Sequence, residues 1–172
     1  GDERAYSLVH SPYSDTLADK ALESAFVGLE NVKKYPFSER GSDERQYCSP
    51  GIRLPLCTMC RSKFGEYPEY HTSADNLSVV TQKGLQGSVD VIKNIVDSFE
   101  TCLYPNSVIK CEPMLGKRNL YPSLSKKSKN RPAKIRTDII AYCDGSNTIF
   151  DISNLLQIKL SEVLKEIKVL KR

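Results

Sequence analysis

An amphipathic repeat between residues 81 and 103 limits the fold of this chain more than any other feature. Apolar residues recur there at alternating spacings of four and three, with polar residues between them; the apolar positions are Leu85, Val89, Ile92, Val96, Phe99 and Leu103. This spacing predicts a helix of about six turns at 3.6 residues each, with Thr81 as its N-cap. We expect its apolar side to cover a core.

The residues before this helix predict a mixed α/β arrangement. Residues 16–32 have helical periodicity and follow Asp15, a suitable N-cap. Residues 33–51 are polar and rich in turn residues, so no regular element is expected there. Residues 54–60 are predicted to form a strand, and residues 105–115, after the helix, a second, short one. We assign residues 1–115 to one domain.

A basic stretch follows at residues 116–133. Between Gly116 and Arg136 there are eight Lys and Arg residues and no Asp or Glu. Such a block is most often a solvated linker and less often a nucleic-acid contact. Three short amphipathic segments then occupy residues 134–172, the pattern of a winged-helix or helix-turn-helix module that ends before its hairpin.

The composition argues against several classes of protein. No apolar run approaches the roughly 20 residues of a membrane helix, and the first ten residues lack the features of a signal peptide. We therefore expect a cytoplasmic protein without membrane contacts. The six cysteines are too sparse for a disulfide scaffold. Cys57 and Cys60 form one C-x-x-C motif, but a zinc ribbon needs two, so buried thiols are the favoured interpretation.

Three residues in predicted loops have side chains that suit a metal site. They are Asp2 in "GDER", Asp43 in "RGSDERQYCSPG" and His71 in "YPEYHTSADN". Loops at strand ends are where open α/β sheets gather ligands. An imidazole and two carboxylates suit zinc, although a single histidine in a tyrosine-rich turn is more often a hydrogen-bonded structural residue.

The same motifs resemble a known family. "RGSDERQYCSPG", followed by "RSKFGEYPEYHTSADNLSVVT" and a long helix, is similar to the C-terminal half of the catalytic domain in bacterial aminopeptidase-like proteins. These belong to the co-catalytic zinc peptidase superfamily, with the leucyl aminopeptidases and glutamate carboxypeptidase. Many of them end in a small winged-helix domain.

The resemblance implies an α/β/α fold with a mixed sheet and two zinc ions at the carboxyl edge of that sheet. His71 then corresponds to the last histidine ligand and Asp2 to a terminal carboxylate ligand. Tyr70 corresponds to a tyrosine that hydrogen-bonds the tetrahedral oxyanion. Asp43, Glu44 and Arg45 would orient the site, and Arg61 would meet a substrate carboxylate.

The resemblance also implies an incomplete site. The other histidine, the bridging aspartate and the glutamates that serve as base and ligand would all precede residue 1. His10 lacks a matching context and is expected at the surface. We therefore expect part of an exopeptidase that acts on a peptide or amide substrate and is inactive without its remaining ligands.

Two alternatives stay open. The basic linker and the C-terminal module could bind nucleic acid, but Glu162 and Glu166 accompany Lys165 and Lys168 on the candidate recognition helix and favour protein contacts or a homo-oligomer instead. The chain could also be an inactive, interaction-only relative of the peptidases.

Overall fold

The fold is taken from a computed structural model, which describes residues 1–120 and 131–171. The described strands are β1 (Tyr6–Val9), β2 (Val32–Tyr35) and β3 (Thr58–Cys60). The helices are α1 (Leu17–Phe26), α2 (Glu44–Tyr47), α3 (Gln82–Thr101), α4 (Arg131–Ala141), α5 (Ile149–Leu156) and α6 (Leu160–Leu170), with short 3₁₀ turns at Phe37–Glu39 and Leu115–Arg118.

The sheet of the described residues is mixed and has the order β2-β1-β3. β1 pairs in parallel with β2, with Tyr6 opposite Val32, and antiparallel with β3, with Ser7 opposite Cys60. Leu8 and Val9 are fully buried in this central strand. The antiparallel pairing brings the carboxyl end of β3 beside the amino end of β1, and therefore places residues 61–63 next to the first residues of the chain.

The observed strands differ from those predicted from the sequence. β1 and β2 were not expected, because each has four residues and Val32–Tyr35 contains two lysines, too little apolar sequence for a clear signal. The strand predicted at residues 54–60 is only Thr58–Cys60. The strand predicted at 105–115 is absent from the described residues, where Asn106 makes one isolated bridge to Asp144.

Helices α1 and α5, from opposite ends of the chain, both begin with a T-x-x-D sequence. Thr16 caps α1, in place of the predicted Asp15, and forms a capping box with Asp19. Thr148 and Asp151 form the same box on α5. Both boxes satisfy amide groups that the first helical turn leaves without partners. α1 packs against α5, so the two capped helices lie together.

α3 begins after the predicted Thr81 cap and ends at Thr101, two residues before the predicted end, but it faces the core with a different side. Its buried residues are Gly84, Val91 and Ser98, whereas the predicted stripe is exposed from Leu85 to Phe99 and packs against the core at Leu103. The reason is close approach: a Cβ on Gly84 would lie 1.9 Å from the Gly1 carbonyl oxygen. The small residues therefore allow the N-terminal segment to pack directly on the helix.

The C-terminal helices share one hydrophobic core with the first part of the chain. α4, α5 and α6 confirm the three predicted amphipathic segments. Their buried residues cluster with those of β1, α1 and α3; the members include Leu8, Leu22, Phe26, Val91, Ile139, Phe150, Val163 and Ile167. Residues 121–130 of the predicted basic linker lie outside the described residues.

Candidate functional site

Asp2 is held in place by backbone and side-chain donors at the end of β3. Its Oδ1 accepts hydrogen bonds from the Arg4 amide at 2.7 Å and from the Ser62 hydroxyl at 3.0 Å, and its Oδ2 accepts from the Ser62 amide at 3.3 Å. Burial by itself would raise the pKa of Asp2, but these donors outweigh it and lower the pKa below 3.8. The carboxylate is therefore ionised at neutral pH.

An ion pair joins the Asp2 segment to the turn that carries His71. The two terminal guanidinium nitrogens of Arg4 each donate to one carboxylate oxygen of Glu69, both at 2.7 Å. The hydrogen bonds from Arg4 lower the pKa of Glu69 to about 2. Bidentate pairs of this type fix orientation as well as distance. The structure thus brings together the segments that contain Asp2, Tyr70 and His71, which are far apart in sequence.

Tyr70 and His71 lie in an aromatic cluster. Their rings stack at a centroid distance of 4.0 Å, and the Tyr70 ring also packs edge-on against Tyr67 at 5.6 Å and near Phe64 at 6.4 Å. The Tyr67 hydroxyl donates to Asp75 at 3.0 Å. His71 is exposed, has a positive φ of 60°, and makes no hydrogen bond with any residue that the structure describes. Neither ring nitrogen of His71 is therefore engaged by a described residue.

The loop at residues 41–45 ("GSDER") contacts the aromatic cluster through Gly41. A Cβ on Gly41 would lie 2.3 Å from the Phe64 ring, so the two loops are in close contact. Glu44 is buried and accepts hydrogen bonds from the amides of Gly41 and Ser42 and from the Thr58 hydroxyl at 2.7, 3.0 and 2.9 Å. Burial would raise the pKa of Glu44, but these donors lower it overall.

The neighbours of Glu44 are less constrained. Asp43 and Arg45 are exposed, and Arg45 donates from Nε to the Ser42 carbonyl at 3.3 Å. Glu44 therefore anchors the loop to β3, which agrees in kind with an orienting role. Neither Asp43 nor Arg45 forms a hydrogen bond or salt bridge with Asp2 or His71 in the part of the chain that the structure describes.

Arg61 is a buried cation that forms no salt bridge with the described residues, although its charge helps to lower the pKa of Glu3. It is 6% exposed, its guanidinium carbon lies 3.6 Å from the centre of the Tyr6 ring, and its Nε atom is buried without a hydrogen bond. Cation–π contact with Tyr6 offsets part of the desolvation cost. The predicted contact between Arg61 and a substrate carboxylate stays a prediction.

His10 was wrongly expected at the surface. Its Nδ1 lies 3.1 Å from Oδ1 of the fully buried Asp19, which also accepts from the Ser11 hydroxyl at 2.5 Å and the Thr16 hydroxyl at 2.6 Å. Burial would raise the pKa of Asp19, but these donors lower it. This network has little signature in the sequence, because Asp19 lies in a predicted helix and no element was predicted at His10.

The cysteine motif behaves as a pair of buried thiols. Cys57 and Cys60 are both free. Burial raises the pKa of Cys57 to about 12 and that of Cys60 to about 11. Both thiols therefore stay protonated near neutral pH, a state that does not favour metal ligation. Across residues 1–120 and 131–171, no group of three or more potential ligands from His, Cys, Asp and Glu is close enough to hold a metal ion.

The exposed face of α6 is more basic than its sequence indicated. Glu166 is buried and accepts a hydrogen bond from Nε of Arg136, whose Nη1 donates to the Leu120 carbonyl at 2.7 Å. Lys165 and Lys168 remain exposed on the opposite side. Neither lysine is paired with a carboxylate of the described residues.

Models of known protein families match both parts of the chain. The family model "Domain of unknown function (DUF4910)" matches residues 1–102, more than half of the chain. The chain belongs to this family. A winged helix-turn-helix model matches the rest of the DUF4910 chain, residues 103–172. Together with α4 to α6, this match confirms the predicted winged-helix domain at the C-terminus.

Two matches in Clostridium acetobutylicum connect this DUF4910 chain to peptidases. One relative, 34% identical over 157 residues, is named as a candidate polysaccharide biosynthesis protein with an aminopeptidase-like domain. A crystal structure described as that of a candidate peptidase matches with a TM-score of 0.79 and 29% identity. These matches support the mixed α/β, peptidase-like fold.

The DUF4910 chain is much shorter than both of these proteins. The matched part is 89% of this chain but 36% of the curated relative, and 100% of this chain but 38% of the solved chain. None of the helices described for residues 1–120 and 131–171 has the length and apolar composition needed to cross a membrane.

Proposed function

We propose that this chain acts as part of a longer zinc-dependent hydrolase of the aminopeptidase type, within the co-catalytic zinc peptidase superfamily. His71 and Asp2 would each donate one ligand, and the other ligands and the general base would come from further parts of the protein. The observation that carries this proposal is the Arg4–Glu69 pair, which fixes the Asp2 segment against the Tyr70–His71 turn. The peptidase-like relatives support it.

The chemistry of the two donors fits zinc, but their number does not complete a site. Asp2 is ionised, and Oδ2 accepts only the longer hydrogen bond, from the Ser62 amide. It therefore retains a lone pair for a cation. His71 offers a free imidazole nitrogen. Zinc takes three or four protein ligands, so these two residues fit as part of a larger centre.

The remaining residues have separable roles in this proposal. When bound, zinc would supply a water of lowered pKa and polarise the scissile carbonyl. Tyr70, held between Tyr67 and His71, would donate its hydroxyl to the oxygen on which negative charge develops. Glu44 would keep the 41–45 loop, with Asp43 and Arg45, in register with this cluster. Arg61 would receive a substrate carboxylate.

Zinc binding tests this proposal directly. We expect the protein with its flanking coding sequence to bind zinc and hydrolyse an aminoacyl anilide, whereas the 172-residue chain binds zinc at least about tenfold more weakly. His71→Ala in the longer protein should remove zinc and activity together, as measured by metal analysis and anilide hydrolysis. His10→Gln is the matched control and should retain zinc. Full zinc occupancy in His71→Ala would refute the assignment.

The basic face of α6 supports a second candidate function, contact with the phosphates of duplex DNA. Because Glu166 is buried and paired with Arg136, its negative charge does not offset the positive charges of Lys165 and Lys168 at the surface. The affinity of such a contact rises with the number of phosphates neutralised and falls with salt. Two lysines predict a weak, sequence-independent contribution, which the basic residues of the 116–133 stretch would strengthen.

Salt-dependent binding distinguishes this candidate from the peptidase proposal. We expect Lys165→Glu combined with Lys168→Glu to abolish retention of a DNA duplex at low salt, without changing zinc content. Lys33→Glu combined with Lys34→Glu, at two exposed lysines of β2 outside the basic stretch, is the charge-matched control. The absence of retention by the unaltered chain at low salt would end this candidate.

A further inference from the structure

α3 presents a continuous apolar surface that the described residues leave uncovered. Its members, here called the α3 stripe, are Leu85, Val89, Ile92, Val96 and Phe99, each between 42% and 54% exposed. At a rise of 1.5 Å per residue the stripe is about 21 Å long. Scattered apolar side chains are normal at a protein surface, but an aligned set of this length marks an interaction site.

The stripe is continuous with the hydrophobic core. Ile95, Cys102 and Leu103 beside it are partly buried and pack against the core, and the Phe99 ring meets the buried Phe150 ring edge-on at 5.0 Å. With Ile95 and Cys102, the apolar face occupies three positions in seven. That width is typical of a helix on a globular core and broader than a coiled-coil seam. A partner on this face would therefore extend the existing core.

The described sheet is also short and has two open edges. Its strands have three or four residues, and within the described ranges no further strand pairs with the outer edges of β2 and β3. Sheets in globular domains average about five or six strands. Both open edges can accept main-chain hydrogen bonds from added strands.

A second copy of the chain fits this face poorly. Five half-exposed side chains offer a few hundred Å², whereas a stable interface buries about 800 Å² per partner. Antiparallel pairing of two stripes about Ile92 would also place Lys93 near its counterpart, about 3 Å away along the helix axis, and like charges at that flanking position disfavour association.

We propose that the α3 stripe is covered by additional β-strands of a longer polypeptide, which extend the mixed sheet and present alternating apolar side chains to α3. Supporting this, the solved relative matches this chain over its full length, and most of its own polypeptide lies outside the match. The first turn of α3 also contacts the N-terminal segment, since the Thr81 amide donates to the Gly1 carbonyl at 3.1 Å. Strands that cover the stripe would therefore pass near Asp2. The proposal does not depend on zinc binding.

Dye binding and thermal unfolding test this packing without reference to zinc or activity. The 172-residue chain should bind the apolar dye ANS, and Val89→Lys combined with Val96→Lys should remove most of that fluorescence. The protein expressed with its flanking coding sequence should bind little dye. In the longer protein the same double variant should lower Tm by about 5 °C or more, whereas in the short chain Tm should barely change.

Leu155→Lys is the matched control, because Leu155 is an exposed apolar residue on α5 and lies outside the stripe. It should leave Tm unchanged in both proteins. Equal dye binding by the short and long proteins would overturn the proposal, even if the double variant fails to fold. It would also be overturned if sedimentation found a dimer of the short chain that Val89→Lys dissociates, or if the gene encoded no further polypeptide.

Discussion

At the scale of single residues, buried carboxylates organise the loops of this protein. Asp2, Asp19 and Glu44 each accept several hydrogen bonds, and in each case the donors lower a pKa that burial would raise. A lowered pKa in the folded state stabilises the protein above the ordinary pKa of the group. This stabilisation is lost as the pH falls through the folded-state value.

Asp19 offers the clearest test of this effect. We expect Asp19→Asn to lower the free energy of unfolding by about 3 kcal/mol near pH 7, because the amide cannot accept all the donors from His10, Ser11 and Thr16. The difference from the parent protein should be constant above about pH 5 and shrink below pH 4, as the parent's carboxylate becomes protonated. Urea unfolding at a series of pH values measures both effects.

Asp15→Asn is the control for this measurement, since Asp15 is exposed one residue before the true N-cap. Its effect should stay within about 0.5 kcal/mol. A difference between Asp19→Asn and the parent that does not change with pH would contradict the proposed ionisation of Asp19.

At the scale of elements, the capping box of α5 is a discrete source of stability. Thr148 accepts from the Asp151 amide at 3.0 Å, and Asp151 accepts from the Thr148 amide at 2.9 Å. We expect Thr148→Ala to destabilise the protein by about 1 kcal/mol, measured by thermal or urea unfolding. Thr148→Ser retains the hydroxyl and should cost much less. Equal losses in the two variants would attribute the effect to the lost methyl group instead.

The helices were predictable from sequence to a greater degree than their packing. The spacing from Leu85 to Leu103 and the cap at Thr81 predicted α3, because both signals lie within the helix itself. The buried side of α3 was wrongly predicted, because Gly84 and Ser98 are buried through close backbone approach, which leaves no apolar signal. β1 and β2 were missed because a four-residue strand depends on its neighbours for stability.

The sequence indicated which residues form the candidate site but not the contacts that hold them together. Asp2, Tyr70 and His71 were selected through motifs and a resemblance, whereas the Arg4–Glu69 pair joins positions 65 residues apart and has no local signature. The basic charge of the exposed face of α6 likewise depends on the Arg136–Glu166 pair, which the sequence does not indicate. Such partners are set by the tertiary fold.

At the scale of the whole molecule, the two family-matched parts share one core. Phe150 of α5 is fully buried in a cluster that includes Leu8, Phe26 and Val91 from the first 102 residues. We therefore expect one cooperative unfolding transition by calorimetry, with equal calorimetric and van't Hoff enthalpies. Phe150→Ala should lower the free energy of unfolding by about 3–5 kcal/mol and keep the transition single.

Leu155→Ala, at a residue that is 59% exposed on the same helix, is the control and should have little effect. Two separate transitions in the parent protein, only one of them shifted by Phe150→Ala, would contradict a shared core.

The Arg4–Glu69 pair has a consequence for how the site responds to its surroundings. Arg4 is about half exposed, so dissolved ions reach the contact and weaken it. The Asp2 segment would then be less firmly fixed to the turn that contains His71 as ionic strength rises, while both donor side chains stay chemically unchanged. The preorganisation of the centre would therefore depend on salt concentration.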